Sequence, residues 1–297
     1  MLTTNTSGMV RGMNVNFIIP IRHPNSVDNK RDQYNFLRDL FASISNQSSR
    51  SFRCFVVCNR EQIPPDIPLN FTRVDVDMPH FDYRSTVSST GQIHNYIRLD
   101  KGKRVAAAFD LLDHSESVMV VDDDDLLSNR LVDFVSSEKF DGIWTIDRGY
   151  GWQTGSGSAY LINQFHRICG SSLILPAFRY KYSNKEYLDI AEAYRELGSH
   201  RIIVNENAHG GLPIRRVPFR ASIYRRGHIN SEETKNLVTQ AKRLQVSDYL
   251  APAMRLKNRL LSRLKERFSK KPSIIFEHRV MEWRRVSISR LQDEFFG

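Results

Sequence analysis

Four consecutive carboxylates, Asp122-Asp123-Asp124-Asp125, follow the apolar run Ser117-Val-Met-Val-Val121. Like charges at this density repel. A divalent cation with oxygen ligands offsets that repulsion. The run contains two overlapping Asp-x-Asp pairs, Asp122/Asp124 and Asp123/Asp125, and either suits such an ion. A solvated acidic turn is the bland alternative. The three cysteines, Cys54, Cys58 and Cys169, offer different chemistry only on paper. Cys54 and Cys58 are not a CxxC pair and no Cys/His cluster has zinc spacing.

What positions the acids is the element that precedes them. Asn16-Phe-Ile-Ile-Pro-Ile21 and Phe52 to Val57 read as buried strands, and Phe71 to Val76 alternates as a third. Between the first two, Phe36, Leu37, Leu40, Phe41 and Ile44 recur at helical spacing. Lys101 to Leu112 carries Val105, Ala106, Phe109 and Leu112 on one helical face, and Val118 to Val121 is a fourth strand. This alternation predicts an α/β fold with a mostly parallel sheet flanked by helices. In such sheets ligands sit at the carboxyl ends of the strands, where the acid run stands. Further strands are expected at Ile143 to Ile146, Leu173 to Leu175, Ile214 to Val217 and Ala221 to Tyr224, with a helix over Tyr187 to Leu197. The glycine-rich stretch Gly149 to Ser158 reads as a loop.

The chain has 297 residues, 40% apolar and 26% charged, enough to bury a sizeable core. Its net charge is +10. Residues from Asn236 onward carry 14 basic and 6 acidic side chains, so +8 of that excess sits in the tail and only +2 in the first 235 residues. A uniformly basic nucleic-acid binder is thereby disfavoured. Three cysteines rule out a disulfide scaffold and suit a reducing compartment. No apolar run approaches a membrane span, and the Thr/Asn-rich start has no signal-peptide core. Arg255 to Phe268 reads as a basic amphipathic helix, with an arginine ladder beside a leucine stripe, and Val280 to Phe296 as a last helix. The basic helix has three readings: packing on the body, lying on an anionic membrane surface, or a nucleic-acid arm. The last has no aromatic-interleaved basic motif behind it.

The order of motifs resembles the GT-A fold glycosyltransferases of the family 2 type, as found in bacterial polysaccharide and glycolipid assembly. Asn16-Phe-Ile-Ile-Pro-Ile21 is similar to their first strand. Leu40 to Gln47 with Phe52 to Asn59 resembles their first helix and second strand. Lys101-Gly-Lys-Arg-Val-Ala-Ala-Ala-Phe109 resembles the basic helix before the Asp-x-Asp motif, and Val120-Val-Asp-Asp-Asp-Asp-Leu126 that motif itself. Cys169 to Leu175 resembles an acceptor-side segment, and Tyr224-Arg-Arg-Gly-His-Ile-Asn-Ser231 a closing His-x-Asn-Ser element. The resemblance covers about residues 15–232. It implies a catalytic domain there, after a tail over 1–14 and before a helical basic extension over 233–297.

It also implies roles. Asp122 would lie near the ribose with Asp123 beside it, and Asp124 and Asp125 would hold Mn²⁺ or Mg²⁺ across the diphosphate of a nucleotide sugar. His228 would complete the metal shell, with His209 as rival. Pro20 and Arg22 would open the nucleotide pocket, and Lys101, Lys103 and Arg104 would neighbour phosphate. The family's acidic base-reading residue is replaced here by Asn59, and its Glu-Asp base motif by Leu197-Gly-Ser-His-Arg201. His200, which ionises near neutrality, is therefore the candidate base of an inverting transfer, with Glu206 as its rival. Asp147 and Trp152 are candidate acceptor contacts. The expected partners are a nucleotide-diphosphate sugar and a glycan or lipid-linked glycan, in the cytoplasm and at the inner membrane face if 255–268 binds lipid. A metal-dependent nucleotidyltransferase or phosphohydrolase, and a non-catalytic module of the same fold, are the competing classes.

Overall fold

The computed structural model describes residues 14–82, 86, 89–109, 111–112, 116–138, 140–177, 190–200, 211–226 and 281–296. Apolar β-branched and aromatic runs form the central strands β1 (Val15–Pro20) and β2 (Phe52–Asn59). β3 (Phe71–Val76) and β4 (Ser117–Val120) extend the same sheet. Its other strands are β6 (Ile143–Thr145), β9 (Leu173–Pro176) and β10 (Ile214–Arg216), and the order is β10-β6-β9-β4-β1-β2-β3. β3, β2, β1 and β4 run parallel, β9 is antiparallel to both its neighbours, and β6 and β10 are parallel to each other. The α/β class with a mostly parallel sheet is the one the alternating pattern predicts.

Period-two alternation divides the core between the two faces. Val15, Phe17 and Ile19 of β1 pack with Leu37, Leu40, Phe41 and Ile44 of α1 (Lys30–Ser45). Ile18, with Phe55 and Val57 of β2, packs on Val105, Ala108 and Phe109 of α2 (Thr90–Phe109). Asn29 caps α1 by accepting from the amides of Arg31 and Asp32. The second helix starts eleven residues before the expected Lys101, because the segment Thr90 to Asp100 holds polar residues that hide the helical period.

A second sheet, β12-β8-β7-β11-β5, closes one side. It contains β5 (Leu126–Leu127), β7 (Arg148–Gln153), β8 (Ser158–Asn163), β11 (Ser222–Arg226) and β12 (Met281–Ser287). Two expectations are corrected here. Gly149 to Ser158 is a β-hairpin rather than a loop. The two glycines of its first strand serve packing: a Cβ at Gly149 would stand 2.3 Å from the Phe165 ring, and one at Gly151 would stand 2.3 Å from the Tyr160 ring. The expected helix over Val280 to Phe296 is mostly strand, followed by a single turn, Gln292–Phe295. Leu291 and Phe295 bury themselves with Leu126, Ala159 and Ile223, and Ser128 Oγ donates to Glu294. Residues 281–296 are thus part of the body. The amphipathic segment 255–268 lies outside the described residues.

A short α3 (Leu131–Ser137) follows β5, and α4 (Ile190–Leu197) crosses α2 at backbone contact. A Cβ at Gly102 would stand 1.7 Å from the Tyr194 carbonyl oxygen, and one at Gly198 2.0 Å from that of Arg98. No helix among the described residues is long and apolar enough to cross a membrane.

All three cysteines are buried and free. Burial raises each thiol pKa, most for Cys54 and Cys169. The native protein is expected to leave all three thiols unreacted with Ellman's reagent at pH 8, and to titrate all three in guanidinium. Rapid native labelling of any one would contradict its burial.

Candidate active site

The strand β4 delivers Asp122 to Asp125 to the carboxyl edge of the sheet, beside the end of β1. The acids turn inward: side-chain exposure is 32% at Asp122, 4% at Asp123 and 15% at Asp124, and Asp125 is fully buried. A solvated acidic turn is excluded by this burial. Four adjacent acids are tolerated there because a donor reaches each of them.

Lys101 Nζ reaches Asp122 Oδ1 at 2.5 Å. Burial alone would lower the lysine's pKa, but Asp122 outweighs it and the net shift is upward, so the ammonium stays charged. Gly170 makes the approach possible, since a Cβ there would stand 2.2 Å from Asp122 Oδ2 and 2.9 Å from the ammonium. Arg22, just past β1, spans the next two acids. Its Nη2 lies 2.7 Å from Asp123 Oδ1 and 3.2 Å from Asp124 Oδ2, and its Nε donates to Asp123 Oδ2 at 3.1 Å. Burial opposes the guanidinium's charge, but Asp123 first and Asp124 next hold its pKa above the ordinary value. Gln33 of α1 donates to the same Asp123 oxygen at 3.1 Å.

Asp125 is held differently. Ser171 Oγ donates to its Oδ2 at 2.6 Å and accepts the Asp122 amide at 2.8 Å, and Cys169 Sγ donates to Oδ2 at 3.0 Å. Its other oxygen, Oδ1, is buried with no hydrogen-bond partner. Burial, then Asp124 and Asp122, push this carboxyl well above the usual range. An orphaned buried carboxylate oxygen among hard oxygen donors is what a Mg²⁺- or Mn²⁺-type ion would satisfy. Among the described residues no three His, Cys, Asp or Glu side chains converge as a ready ligand set. His228, the expected third ligand, its rival His209, and Glu206 lie outside the described residues.

The remaining expected site residues divide. Pro20 ends β1, buried beside the acids. Asn59 and Arg104 are not exposed to a nucleotide: both are buried, and Arg104 Nη1 donates to Asn59 Oδ1 at 2.9 Å while Asn59 Nδ2 donates to the Met78 carbonyl at 2.8 Å. Arg104 also pairs with Asp100 one turn earlier, at 2.9 Å. This pair pins α2 to the end of β2, which corrects the base-reading and phosphate roles expected of them. Lys103 points to solvent from α2, away from Lys101. Trp152 is half-buried: its indole N–H donates to the Ser156 carbonyl at 2.8 Å, its ring packs edge-on to Phe296, and Arg225 lies 5.3 Å above it. It is a packing residue of the second sheet rather than an open platform. His200 is partly buried just after the α2–α4 crossing.

Asp147 follows β6 at the same sheet edge and meets a residue the sequence reading passed over. His166 Nδ1 stands 3.3 Å from Asp147 Oδ1, and Arg216 Nη1 is 3.6 Å from Oδ2. The only signal in sequence was the odd placement of a histidine four residues before Gly170, in a segment with no element of its own.

No family model matches the chain, and no curated protein matches it. Among solved structures the chain is similar to the inositol-1-phosphate CTP transferase from T. maritima, with a TM-score of 0.41 and 11% identity, over 77% of this chain and 96% of that one. At that score and identity the likeness carries nothing about this chain's substrate.

Proposed function

We propose that the chain is a cation-dependent glycosyltransferase that moves a sugar from a nucleoside-diphosphate donor to a hydroxyl acceptor. The observation that carries this reading is the inward-facing acid tetrad at the carboxyl edge of a mostly parallel sheet, with one carboxylate oxygen buried and unpartnered. Mg²⁺ is commonly bound through one or two carboxylates plus substrate phosphates, so a full protein cage is not needed. Asp124 and Asp125 would hold the ion, which would supply charge neutralisation for the leaving diphosphate. Lys101, charged and adjacent to Asp122, lies where a phosphate oxygen could exchange for the carboxylate. Arg22 masks Asp123 and Asp124 until a cation competes for them.

Arg22 also favours a second reading. A basic residue on the loop after the first strand suits nucleotidyl transfer from a nucleoside triphosphate, with release of pyrophosphate, although Pro20-Ile-Arg-His-Pro24 lacks the glycines that such a loop usually carries. The two readings separate on product. Purified protein with Mn²⁺ is offered UDP-, GDP- and dTDP-sugars, and separately nucleoside triphosphates with sugar phosphates. Cation-dependent release of a nucleoside diphosphate from one donor is the expected result. Pyrophosphate release in the second arm would replace the proposal by the rival.

A further inference from the structure

We propose that His166, oriented by Asp147, is the proton acceptor for the incoming hydroxyl; this rests on the glycosyltransfer reading above. Register places the dyad. Val118 pairs with Leu175 and Trp144 with Ile174 across β9, so continuing the ladders sets Asp122, Ser171 and Asp147 in one row. The Asp122 amide donates to Ser171 Oγ, and the Ile146 amide donates to the Ser172 carbonyl, which holds that row together. At about 4.8 Å per strand, Asp147 stands roughly 10 Å from Asp122 along the sheet edge. That spacing leaves room for one sugar ring between the diphosphate side and the dyad.

The segment that carries His166 is built to hold it. Gln164 adopts φ 50° and ψ 40°, the one non-glycine with positive φ among the described residues. Such conformations persist where the surroundings over-determine them, and they gather at functional turns. The Phe165 amide donates to the Asp147 carbonyl at 2.9 Å and the Phe165 ring is fully buried, so the turn is fixed to the strand that bears the carboxylate. Five residues on, the same segment supplies Ser171, and with it the hydroxyl that bridges Asp122 and Asp125. One short loop therefore ties the dyad to the acids.

The neighbouring carboxylate also assigns the tautomer. Nδ1 faces Asp147 Oδ1 at 3.3 Å, short of hydrogen-bond alignment, and the carboxylate's charge assigns the proton to Nδ1, leaving Nε2 as the basic nitrogen. His166 is partly open, at 20% side-chain exposure, as a group that meets substrate requires. Burial lowers its pKa, Asp147 opposes that, and Arg167 and Arg216 reinforce it; the net shift is downward, so the ring is neutral at pH 7. In the step, the acceptor O–H proton passes to Nε2. The oxygen bonds to the anomeric carbon, and the anomeric C–O bond to the diphosphate breaks, its electron pair leaving with the nucleoside diphosphate. The imidazolium, balanced by Asp147, then returns its proton to water. His200, the candidate from sequence, is the rival.

The test uses the full-length protein, Mn²⁺ and the nucleoside-diphosphate sugar that the donor panel selects, with water as acceptor. His166→Gln is expected to lower kcat about 10²-fold or more while leaving donor affinity by calorimetry and the melting temperature near wild type. The wild-type acid limb, displaced to lower pH than that of an ordinary imidazole because burial disfavours the charged ring, should vanish in the variant. Asp147→Asn should lower kcat with little change in KM and shift the limb. Wild-type kcat and pH profile in His166→Gln, or loss of the limb in His200→Gln instead, overturns the dyad and leaves the glycosyltransfer reading standing. No turnover or binding of any donor by wild type overturns both.

Discussion

Replacing Asp124 by Asn should reduce cation-dependent donor turnover by roughly 10³-fold, with the fold intact. The side chain is 15% exposed and pairs with Arg22 Nη2 at 3.2 Å, a longer contact than the 2.7 Å from the same nitrogen to Asp123. The amide keeps the size and one acceptor oxygen of the carboxylate. What it loses is a full negative charge at the one point where Asp125, with its unpartnered Oδ1, needs a charged neighbour to hold a cation. Stability should therefore change by no more than about 1 kcal/mol, as for a partly exposed pair. The measurement is the initial rate of nucleoside diphosphate release across a Mn²⁺ titration, with Asp133→Asn on the exposed side of α3 as the control. A variant that keeps a tenth of the wild-type rate at saturating Mn²⁺ would remove Asp124 from the chemistry. Equal loss in the control would mean the assay reports folding.

The sheet and the position of the acids were legible because the signals were local. Val118 to Val121 is a short apolar run ending in four carboxylates, and only a strand at its carboxyl edge makes sense of both. The periods of α1 and of β1 to β4 survive because each buries one face, or both, against apolar neighbours. What was not legible depends on partners distant in sequence. Asn59 and Arg104 read as free polar groups until the packing of α2 on β2 brings them together. Gly149 and Gly151 read as loop residues because glycine is usually a turn signal; here Phe165 and Tyr160 occupy the space of their missing side chains. Met281–Ser287 reads as helix-compatible, and its strand state comes from β8, more than a hundred residues away. His166 and Asp147 meet only because β6 and β9 share a register and Gln164 turns back on itself.

Arg22→Met should be the most destabilising single change at the site, lowering stability by about 3 kcal/mol. Asp123 is 4% exposed, and the guanidinium takes both of its oxygens. Methionine matches the arginine's stem but leaves that buried carboxylate with two neutral donors, the Gln33 amide at 3.1 Å and the backbone amide of residue 22 at 3.5 Å. Gln33 and the Arg22 carbonyl are themselves held by Gln62, at 3.3 and 3.1 Å, so the network cannot swing to compensate. The cost is that of an uncompensated buried charge, larger than the worth of the pair itself. At about 2–4 °C per kcal/mol for a chain of this size class, the melting temperature should fall by roughly 6–12 °C. Arg22→Lys should recover only part of this, because one ammonium cannot span Asp123 and Asp124 as the forked guanidinium does. The double variant Arg22→Met/Asp123→Asn separates the causes: with the buried charge removed as well, most of the lost stability should return. If the double variant is as unstable as Arg22→Met alone, the loss comes from packing of the arginine stem, and the acids are not held in place by charge. Saturating Mn²⁺ should also raise the melting temperature of Arg22→Met more than that of wild type, since in the variant the ion enters Asp123 and Asp124 without displacing a guanidinium.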